Sequence, residues 1–513
     1  MGGWLIQLCG RGAASCGGNT ARVAAINPPC DRNCPRDANS ELRLVVPGSI
    51  SKGNFSTDAI LYLFFDSFSD QPVGSSAPRP VNMKSSLLEL GLVSSSRVVA
   101  LLIFLAVQSC LAWVLGPAQR GEYAVCILFA TFLPFLFTAG LENAVVYFVA
   151  SKRMTLEEGI ANTVALAVAG SSLAILLGLL LIGSSLSFFE KAATDSFHLA
   201  IVVAPISVLA FLLPLLLTAM NEFRWYSLLG VLSATVQLIS ALVFLNLFSL
   251  GVNGALATNI VSGIVTIVGV ALIFKLRYRV RLVRPTRNGM REMLGYSARH
   301  YIGNLSKVLN AQTGRIVIAM LASRADIAFF AVASTMAIRS MIIPDAAVTI
   351  LTPKVAGAVE GQGHLIAKYA RINLILAAVL MPVIAILAPT IMTTLFSPAF
   401  LPAAPLFQLL ALGVIVRSSC KIFDSFLLGM NRPGVSSFAL AVGLLVNVVV
   451  LFVLVPRIAL SGAAIAMVAG WLASSVVLTL AFKKYGGMDL REIWRFRKSD
   501  FTELLALRRH FTK

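Results

Sequence analysis

The sequence predicts an all-α polytopic membrane protein with twelve transmembrane helices in two six-helix repeats, related by a pseudo-twofold axis along the membrane normal. Three observations predict this fold class. Of 513 residues, 58% are hydrophobic and 13% charged, whereas soluble domains carry about 25% charged residues. Apolar runs of spanning length recur, and the two halves of the chain resemble each other. Each run must be a helix, because only a helix pairs all its backbone groups within one lipid-exposed segment.

Twelve apolar runs define the predicted spans in chain order. They cover residues 98–115, 123–150, 159–183, 197–220, 226–249, 252–274, 293–321, 326–350, 370–395, 403–430, 434–455 and 458–482. Short cytoplasmic loops are enriched in Lys and Arg. With both termini in the cytoplasm, 25 such residues fall on the cytoplasmic side and four on the outer side, namely Arg120, Lys191, Arg324 and Arg457. Adding or removing one span would destroy this bias.

The charge and the cysteine spacing argue against a nucleic-acid-binding protein and against a metalloprotein. The net charge of +19 follows mostly from the cytoplasmic bias, so we expect contact with anionic lipid headgroups of the bilayer and no binding of nucleic acid. Four cysteines lie within residues 1–82, at Cys9, Cys16, Cys30 and Cys34, with spacings that match no zinc pattern. We therefore expect no metal and no cofactor. We also expect no signal peptide within residues 1–82, and a disordered or spurious N-terminal extension there.

Three pairs of similar stretches indicate an internal repeat. "LGPAQRGEYAV" resembles "LASRADIAFFAV", "LLTAMNEFRWYS" resembles "FLLGMNRPGVSS", and "GVNGALAT" resembles "ALSGAAIA", at offsets of 207, 210 and 208 residues. The predicted division is a first six-helix repeat at 83–280, a basic cytoplasmic linker at 281–292, a second six-helix repeat at 293–482 and a basic cytoplasmic tail at 483–513. Six crossings give both repeats the same orientation, and transporters built this way bind substrate between the repeats near mid-bilayer.

Charged side chains inside the predicted spans are the candidate functional residues. Each costs about 2.5–3.5 kcal/mol at the bilayer centre, so it faces a bundle interior or a watery cavity. Six are basic, all in the second repeat (Arg299, Lys307, Arg315, Arg339, Arg417 and Lys421), and three are acidic (Glu142, Asp345 and Asp424). We predict that the six cations and His300 bind an anionic substrate. Lys307, Arg339 and Arg417 lie too deep to reach the headgroups, and phosphate or diphosphate suits such a lining.

Structural roles remain open for some of these residues. Tyr296, His300, Gly303, Lys307, Asn310 and Gly314 follow helical steps and predict one polar face on the seventh span. Asp424 is placed to neutralise Lys421, while Arg299 and Arg315 lie toward helix ends and can extend to headgroups. The three acids are candidates for coupling transport to a proton or sodium gradient, or for interhelical ion pairs.

Four stretches carry a resemblance to a known family: "LGPAQRGEYAV", "GLENAVVYFVA", "LGYSARHYIGNLSKVLNAQTGRIVIAML" and "FFAVASTMAIRSMIIPDAAVTILTPKVA". From Met83 to about Lys484 the chain resembles Wzx-like oligosaccharide flippases, polysaccharide biosynthesis proteins of the multidrug/oligosaccharidyl-lipid/polysaccharide (MOP) exporter superfamily. The resemblance implies a bacterial inner-membrane protein that moves undecaprenyl-diphosphate-linked sugars outward for surface polysaccharides such as lipopolysaccharide or exopolysaccharide. Its expected partners are a lipid-linked anionic oligosaccharide, a polysaccharide polymerase and glycosyltransferases.

Other functions remain open at this stage. A multidrug/cation antiporter of the same superfamily would favour a cavity lined with carboxylates, opposite to the charge balance here. A lipid II flippase of the related branch usually has two further spans. An oligosaccharide polymerase or ligase would need outer catalytic groups, and the longest outer connection, residues 184–196, is too short to fold such a site. We therefore expect a transporter and no enzyme.

Overall fold

The computed structural model describes residues 83–138, 140–182, 194–281, 283–341, 363–430 and 432–495. All of them belong to one compact unit of the chain, Ile60–Lys513. The expectations for residues 1–82, for Asp345 and for most of the basic tail lie outside the described residues.

Every regular element of the described residues is helical. The α-helices are α1 (Met83–Thr138), α2 (Leu141–Ala150), α3 (Leu156–Ile182), α4 (Thr194–Ala219), α5 (Phe223–Ala241), α6 (Gly251–Leu276), α7 (Arg287–Leu321), α8 (Arg324–Arg339), α9 (Gly363–Ile386), α10 (Ala388–Leu395), α11 (Ala403–Gly429), α12 (Pro433–Gly486) and α13 (Leu490–Ile493). A π-helical turn, Leu242–Leu247, extends α5, and a 3₁₀ turn, Pro398–Phe400, precedes α11. The all-helical prediction is confirmed.

Eight helices within the described ranges are long and apolar enough to cross a membrane. They are Val98–Thr138, Leu156–Leu180, Ser196–Ala219, Phe223–Leu247, Gly251–Leu276, Gly363–Ile386, Ala403–Gly429 and Pro433–Gly486. Large apolar side chains cover the outside of the bundle as well as its core. A soluble monomer rarely exposes so much apolar surface, so the chain is a multi-pass membrane protein whose outer side chains contact lipid.

Two of these helices contain a backbone break that folds them into two arms. In α1 the break is at Gly116, where φ is 64° and ψ is −179°. In α12 it is at Ile458 and Ala459, and Ile458 lies two residues after Pro456. At 56 and 54 residues, straight helices would be about 80 Å long, far more than the roughly 30 Å of a hydrocarbon core. The predicted ends of the first and eleventh spans, at residues 115 and 455, lie beside these breaks.

The two arms of α12 contact each other through their backbones. A Cβ atom added to Gly443 would lie 2.7 Å from the carbonyl oxygen of Gly470, and one added to Gly470 would lie 2.7 Å from that of Gly443. Beside this contact, Asn447 donates hydrogen bonds to the side-chain and carbonyl oxygens of Asn310 on α7, at 2.8 and 3.1 Å. Small residues allow such close approach in membranes, where packing replaces the hydrophobic driving force.

We expect Gly443→Leu to destabilise the bundle, because the new side chain would collide with the backbone of the opposite arm. Overpacking of this kind costs roughly 1–3 kcal/mol, measurable as a lower unfolding temperature of detergent-solubilised protein. Gly230→Leu is the matched control, since an added Cβ there has no neighbour within 4 Å. Equal unfolding temperatures for the two variants would contradict the close approach.

Candidate functional site

The residues before and after the linker, here called the first half (83–281) and the second half (283–495), meet at two junctions. The aromatic junction is formed by Tyr147 and Phe148 of α2 and by Tyr296 and His300 of α7. The arginine junction is formed by residues 120–122 of α1, by Arg315 of α7 and by Arg324 of α8. The candidate site residues are described below by their position relative to these junctions.

Stacked rings hold the aromatic junction together. Tyr147 and Tyr296 lie with ring centroids 4.5 Å apart and an interplanar angle of 13°, and Phe148 meets Tyr296 edge-on at 5.8 Å. His300 packs on the other side of Tyr296, with centroids 4.8 Å apart. His300 is therefore half-buried at the boundary between the halves.

A glycine brings the backbones together next to these rings. Gly140, directly before α2, has φ of 90°, and an added Cβ would lie 2.6 Å from the carbonyl oxygen of Ser297 on α7. A larger residue would be both strained and obstructed at this position. One turn further along α7, the Tyr301 hydroxyl donates a 2.9 Å hydrogen bond to the carbonyl oxygen of Leu136.

Glu142 and Lys307 face each other across the boundary between the halves. Glu142 lies in the first turn of α2, and its Oε2 accepts a 3.0 Å hydrogen bond from the Gly140 amide. Lys307, on α7 of the second half, is exposed and lies within electrostatic range of this carboxylate. Of the two predicted coupling acids with described positions, Glu142 is therefore the one beside a predicted substrate-binding cation of the opposite half.

Arg315 is held by neutral groups of its own half. Its guanidinium donates to the hydroxyls of Ser334 and Thr335 on α8, at 2.9 and 2.7 Å, and Nη1 donates to the side chain of Gln312 at 3.3 Å. A longer contact of 3.5 Å reaches the carbonyl oxygen of Ala331. These contacts fix the guanidinium within the bundle, so Arg315 does not extend to the headgroups as one interpretation of the sequence allowed.

Arg417 is the most buried of the predicted cations in the described part of the chain. Its side chain on α11 is 8% exposed, and Nη1 donates a 3.0 Å hydrogen bond to the Ser474 hydroxyl on the second arm of α12. Four residues further on, Lys421 is half-buried. Asp424, the acid predicted to neutralise Lys421, accepts a short hydrogen bond from the Ser436 hydroxyl.

The remaining predicted residues divide between the halves. Arg339, at the end of α8, places its guanidinium 4.4 Å from the ring centroid of Phe104 on α1, so it contacts the first half. Arg299 lies on α7, but its side chain is outside the described residues, as is Asp345. The structure therefore brings Lys307, His300 and Arg339 to the boundary between the halves and keeps Arg417 inside the second half.

The polar face predicted on the seventh span does not face one chamber. Added Cβ atoms at Gly303 and Gly314 would lie 2.1 Å from the Ser437 hydroxyl and 2.9 Å from the Phe330 ring. These glycines therefore pack within the second half, whereas Tyr296 contacts the first half. Helical spacing placed these residues on one side of α7, but α8 and α12 cover part of that side.

The arginine junction contains a residue that the sequence assigned to an outer loop. Arg120 is buried, and it follows the break at Gly116. Beside it, an added Cβ at Gly121 would lie 1.7 Å from the carbonyl oxygen of Arg324, and Glu122 pairs with the Arg324 guanidinium at 3.4 Å. A signal for Arg120 was present, because cations are rare on the predicted outer side and Arg120 and Arg324 lie in matching repeat stretches.

The described residues contain no group of three or more His, Cys, Asp or Glu side chains placed to hold a metal ion. The described cysteines, Cys110, Cys126 and Cys420, are free thiols within helices.

Comparisons with known proteins show the family to which the chain belongs and solved structures with a similar fold. The sequence profile of the family described as "Polysaccharide biosynthesis protein" matches residues 110–405. An uncharacterized membrane protein of Methanocaldococcus jannaschii is 32% identical over 99 residues, and the match spans 19% of this chain and 20% of that relative. So short a match to a protein without an assigned activity says nothing further about function.

Three solved structures illustrate the shared fold. The lipid II flippase MurJ in an inward closed conformation gives a TM-score of 0.65 at 14% identity, over 79% of this chain and 89% of that one. An inward-facing multidrug resistance MATE family transporter of the MOP superfamily gives 0.60 at 17% identity, over 76% and 98%. A Pyrococcus furiosus MOP transporter, described as having a binding pocket of reversed polarity, gives 0.55 at 16% identity, over 78% and 95%.

Lys307 provides a test of whether the boundary between the halves is wet. In a chain whose seven native cysteines are replaced, Lys307→Cys reconstituted in lipid nanodiscs should react rapidly with a water-soluble maleimide. Ile302→Cys is the matched control, because Ile302 is 66% exposed on the same helix and its apolar side chain is expected to face lipid, where a thiolate does not form. Equally slow labelling of both positions would show that Lys307 faces lipid.

Proposed function

Because the chain belongs to the polysaccharide biosynthesis protein family, we propose that it is a flippase that translocates undecaprenyl-diphosphate-linked oligosaccharide units across the bacterial inner membrane by alternating access. The observation that carries the proposal is that two cations within the bundle are held by neutral groups. Arg315 and Arg417 lie within helices of the bundle, and their hydrogen-bond partners there are neutral hydroxyl, amide and carbonyl groups. Cations held in this way retain a net charge that attracts an anionic headgroup.

The proposed topology is twelve crossings in two repeats. The eight apolar helices become ten when α1 and α12 are each counted as two arms. Helices α7 and α8 supply the other two. Helix α7 interrupts its apolar character with Arg299, Lys307 and Arg315, and the 16 described residues of α8 end at Arg339. The repeats are then 83–280 and 293–482, joined by the basic linker 281–292, with both termini in the cytoplasm and the basic tail 483–513 beside anionic lipid.

Transport then requires the two junctions to open in turn. With the proposed topology, the aromatic junction lies toward the cytoplasmic side and the arginine junction toward the outer side. Each includes a close backbone contact at a glycine, Gly140 against Ser297 and Gly121 against Arg324. To open, the aromatic junction must also separate its stacked rings and the arginine junction its Glu122–Arg324 ion pair. A headgroup would enter when the aromatic junction parts and leave when the arginine junction parts.

The substrate-binding residues are assigned by the charge that they supply. Lys307 and Arg339 lie at the boundary of the halves, and Arg299 lies on the same helix as Lys307. Arg315, Arg417 and Lys421 supply positive charge from within the second half, and His300 offers a ring nitrogen next to the boundary. Arginine binds phosphate through a forked pair of donors and lysine as a point charge, so a diphosphate with acidic sugars fits this lining while its lipid tail stays in the bilayer.

The charge balance favours this substrate over the alternatives. A cation antiporter would need carboxylates, and of the three predicted intramembrane acids Asp424 is bound to Ser436 within the second half. The superfamily includes a transporter described as having reversed pocket polarity, so one fold accommodates linings of opposite sign. Lipid II remains an alternative diphosphate substrate. The proposed supply and removal of substrate require glycosyltransferases and a polymerase, and the chain itself acts as a transporter.

Lys307→Ala and Arg417→Ala should each reduce the initial rate of flipping at least about tenfold, because each removes a charged contact to the headgroup. The rate is measured in proteoliposomes with a fluorescent undecaprenyl-diphosphate-linked acidic oligosaccharide. Arg457→Ala, at an exposed predicted outer position, is the control and should leave the rate unchanged. Because Arg417 is buried, Arg417→Lys provides a charge-retaining variant, and all variants are compared at equal folded abundance. Equal rates in all of them would exclude the assigned lining.

Glu142→Gln should remove the dependence of flipping on an imposed proton or sodium gradient while folded abundance stays normal. The Glu142 carboxylate is a titratable group within electrostatic range of Lys307 across the boundary, and glutamine keeps its size but loses its charge. Flipping is followed with and without each gradient in the same proteoliposomes. Unchanged gradient dependence in the variant would assign Glu142 a structural role only.

A further inference from the structure

Arg120 is a buried cation whose hydrogen-bonding capacity is only partly used. The residue is 6% exposed. Its Nη2 donates a short hydrogen bond to the side-chain oxygen of Gln108, and the guanidinium lies 4.9 Å from the ring centroid of Tyr123. Its Nη1 has no hydrogen-bond partner among the described residues. A buried guanidinium that leaves donors unpaired is costly, because the desolvation penalty is not recovered.

The groups that hold Arg120 are neutral and fixed in position. The Tyr123 hydroxyl accepts a 3.1 Å hydrogen bond from the Asn259 amide, and the Asn259 oxygen accepts one of 3.2 Å from Gln237. This chain of amide and hydroxyl groups joins α1, α6 and α5. It positions the Arg120 side chain, and none of the groups in this chain carries a negative charge.

A second guanidinium, that of the half-buried Arg315, lies on the other half of the protein. Arg315 is oriented by Ser334 and Thr335 of α8 and by Gln312 of its own helix, all neutral. Arg120 and Arg315 are close enough for their like charges to repel each other. The acid beside them, Glu122, is already paired with Arg324 at 3.4 Å. Among the described residues, two net positive charges therefore lie within electrostatic range of each other where the halves meet.

The sequence pattern around this position is repeated in the two halves. Residues 118–122 read "AQRGE" and residues 322–326 read "ASRAD", so an arginine, a small residue and an acid follow one another at both places. In the second stretch the acid, Asp326, is used in a capping box with Ser323. In the first stretch the acid reaches across to Arg324, and the arginine is left facing Arg315.

We propose that Arg120 and Arg315 together form a phosphate- or diphosphate-binding site between the two halves at the arginine junction. The site shares Arg315 with the inner lining, whereas Lys307 and Arg417 take no part in it. An anion placed between two guanidinium groups uses the unpaired donors of Arg120 and cancels the repulsion between the two charges. Its part in export rests on the proposed function: a diphosphate headgroup that has left the inner lining would bind here before release, and its charge would help the junction to part.

Binding of the anion itself tests the site. The full chain in detergent is titrated by calorimetry with two probes, inorganic pyrophosphate and a prenyl diphosphate. Arg120→Gln and Arg315→Gln should each weaken binding at least about tenfold, because each removes a charged donor pair. Arg120→Lys should bind with intermediate affinity, since lysine keeps the charge but not the fork. Arg457→Gln, at an exposed arginine, is the matched control and should bind like the parent chain.

Loss of affinity for both probes in the Arg120 and Arg315 variants supports the site and shows that it takes phosphate of either origin. Loss for the prenyl diphosphate alone supports it as a site for a lipid headgroup. Binding of both probes by Arg120→Gln with parental affinity overturns it, as does a parent chain that binds neither. If Arg120→Gln does not fold, the comparison of Arg120→Lys with the parent decides.

These outcomes are independent of the proposed function. A chain that loses pyrophosphate binding with Arg120 but moves no lipid-linked sugar would retain this site and refute the flippase. A chain that flips the lipid-linked sugar, but whose Arg120→Gln variant binds diphosphate with parental affinity, would support the flippase and refute this site.

Discussion

Positive charge inside the helix bundle, with no acidic partner among the described residues, is the constraint on which this structure depends. Arg120, Arg315 and Arg417 are each positioned by hydroxyl, amide or aromatic groups of neighbouring helices. Neutral donors and acceptors orient a guanidinium but leave its field intact, and in a medium of low dielectric that field extends further than in water. The helices that carry these residues therefore pack around charge that a ligand can neutralise.

The close contacts between the halves are made mostly by backbone and rings, and not by interlocked aliphatic side chains. Gly140 and Gly121 each bring their half within van der Waals contact of a carbonyl group of the other half. Within the second half, by contrast, Gly443 and Gly470 join the arms of α12 beside the Asn310–Asn447 hydrogen bonds, which cross to α7. The glycine contacts within the second half hold helices of one half together. In the proposed transport cycle, the glycine contacts between the halves would form and separate as the halves move.

The sequence predicted the helical membrane fold and the family correctly, because hydropathy over about twenty residues is a strong signal. It placed span ends beside the breaks at Gly116 and Ile458, where Gly–Pro and Pro–Arg–Ile stretches interrupt the apolar runs. The exact twelve-span, two-repeat plan stays a prediction, as does the assignment of each substrate-binding residue.

Spacing along α7 could not show that α8 and α12 cover Gly303 and Gly314, since that depends on helices distant in the sequence. Arg120 was missed for the same reason: a cation next to a predicted turn was taken as exposed, and only the tertiary contacts with Gln108 and Tyr123 bury it.

In the proposed function, Glu142 is the group through which the charged lining would respond to its ligand. Its carboxylate is tied to the Gly140 amide at the start of α2, and that glycine is also the point at which α2 approaches α7. Lys307 of α7 lies within range of the same carboxylate. In the proposed function, an anion that binds Lys307 would compete with Glu142 for the lysine charge, and the carboxylate would then take up a proton or a cation instead. A change in charge at Glu142 would act on a backbone contact between the halves, so the proposed ligand binding and the proposed opening of the aromatic junction would share one structural element.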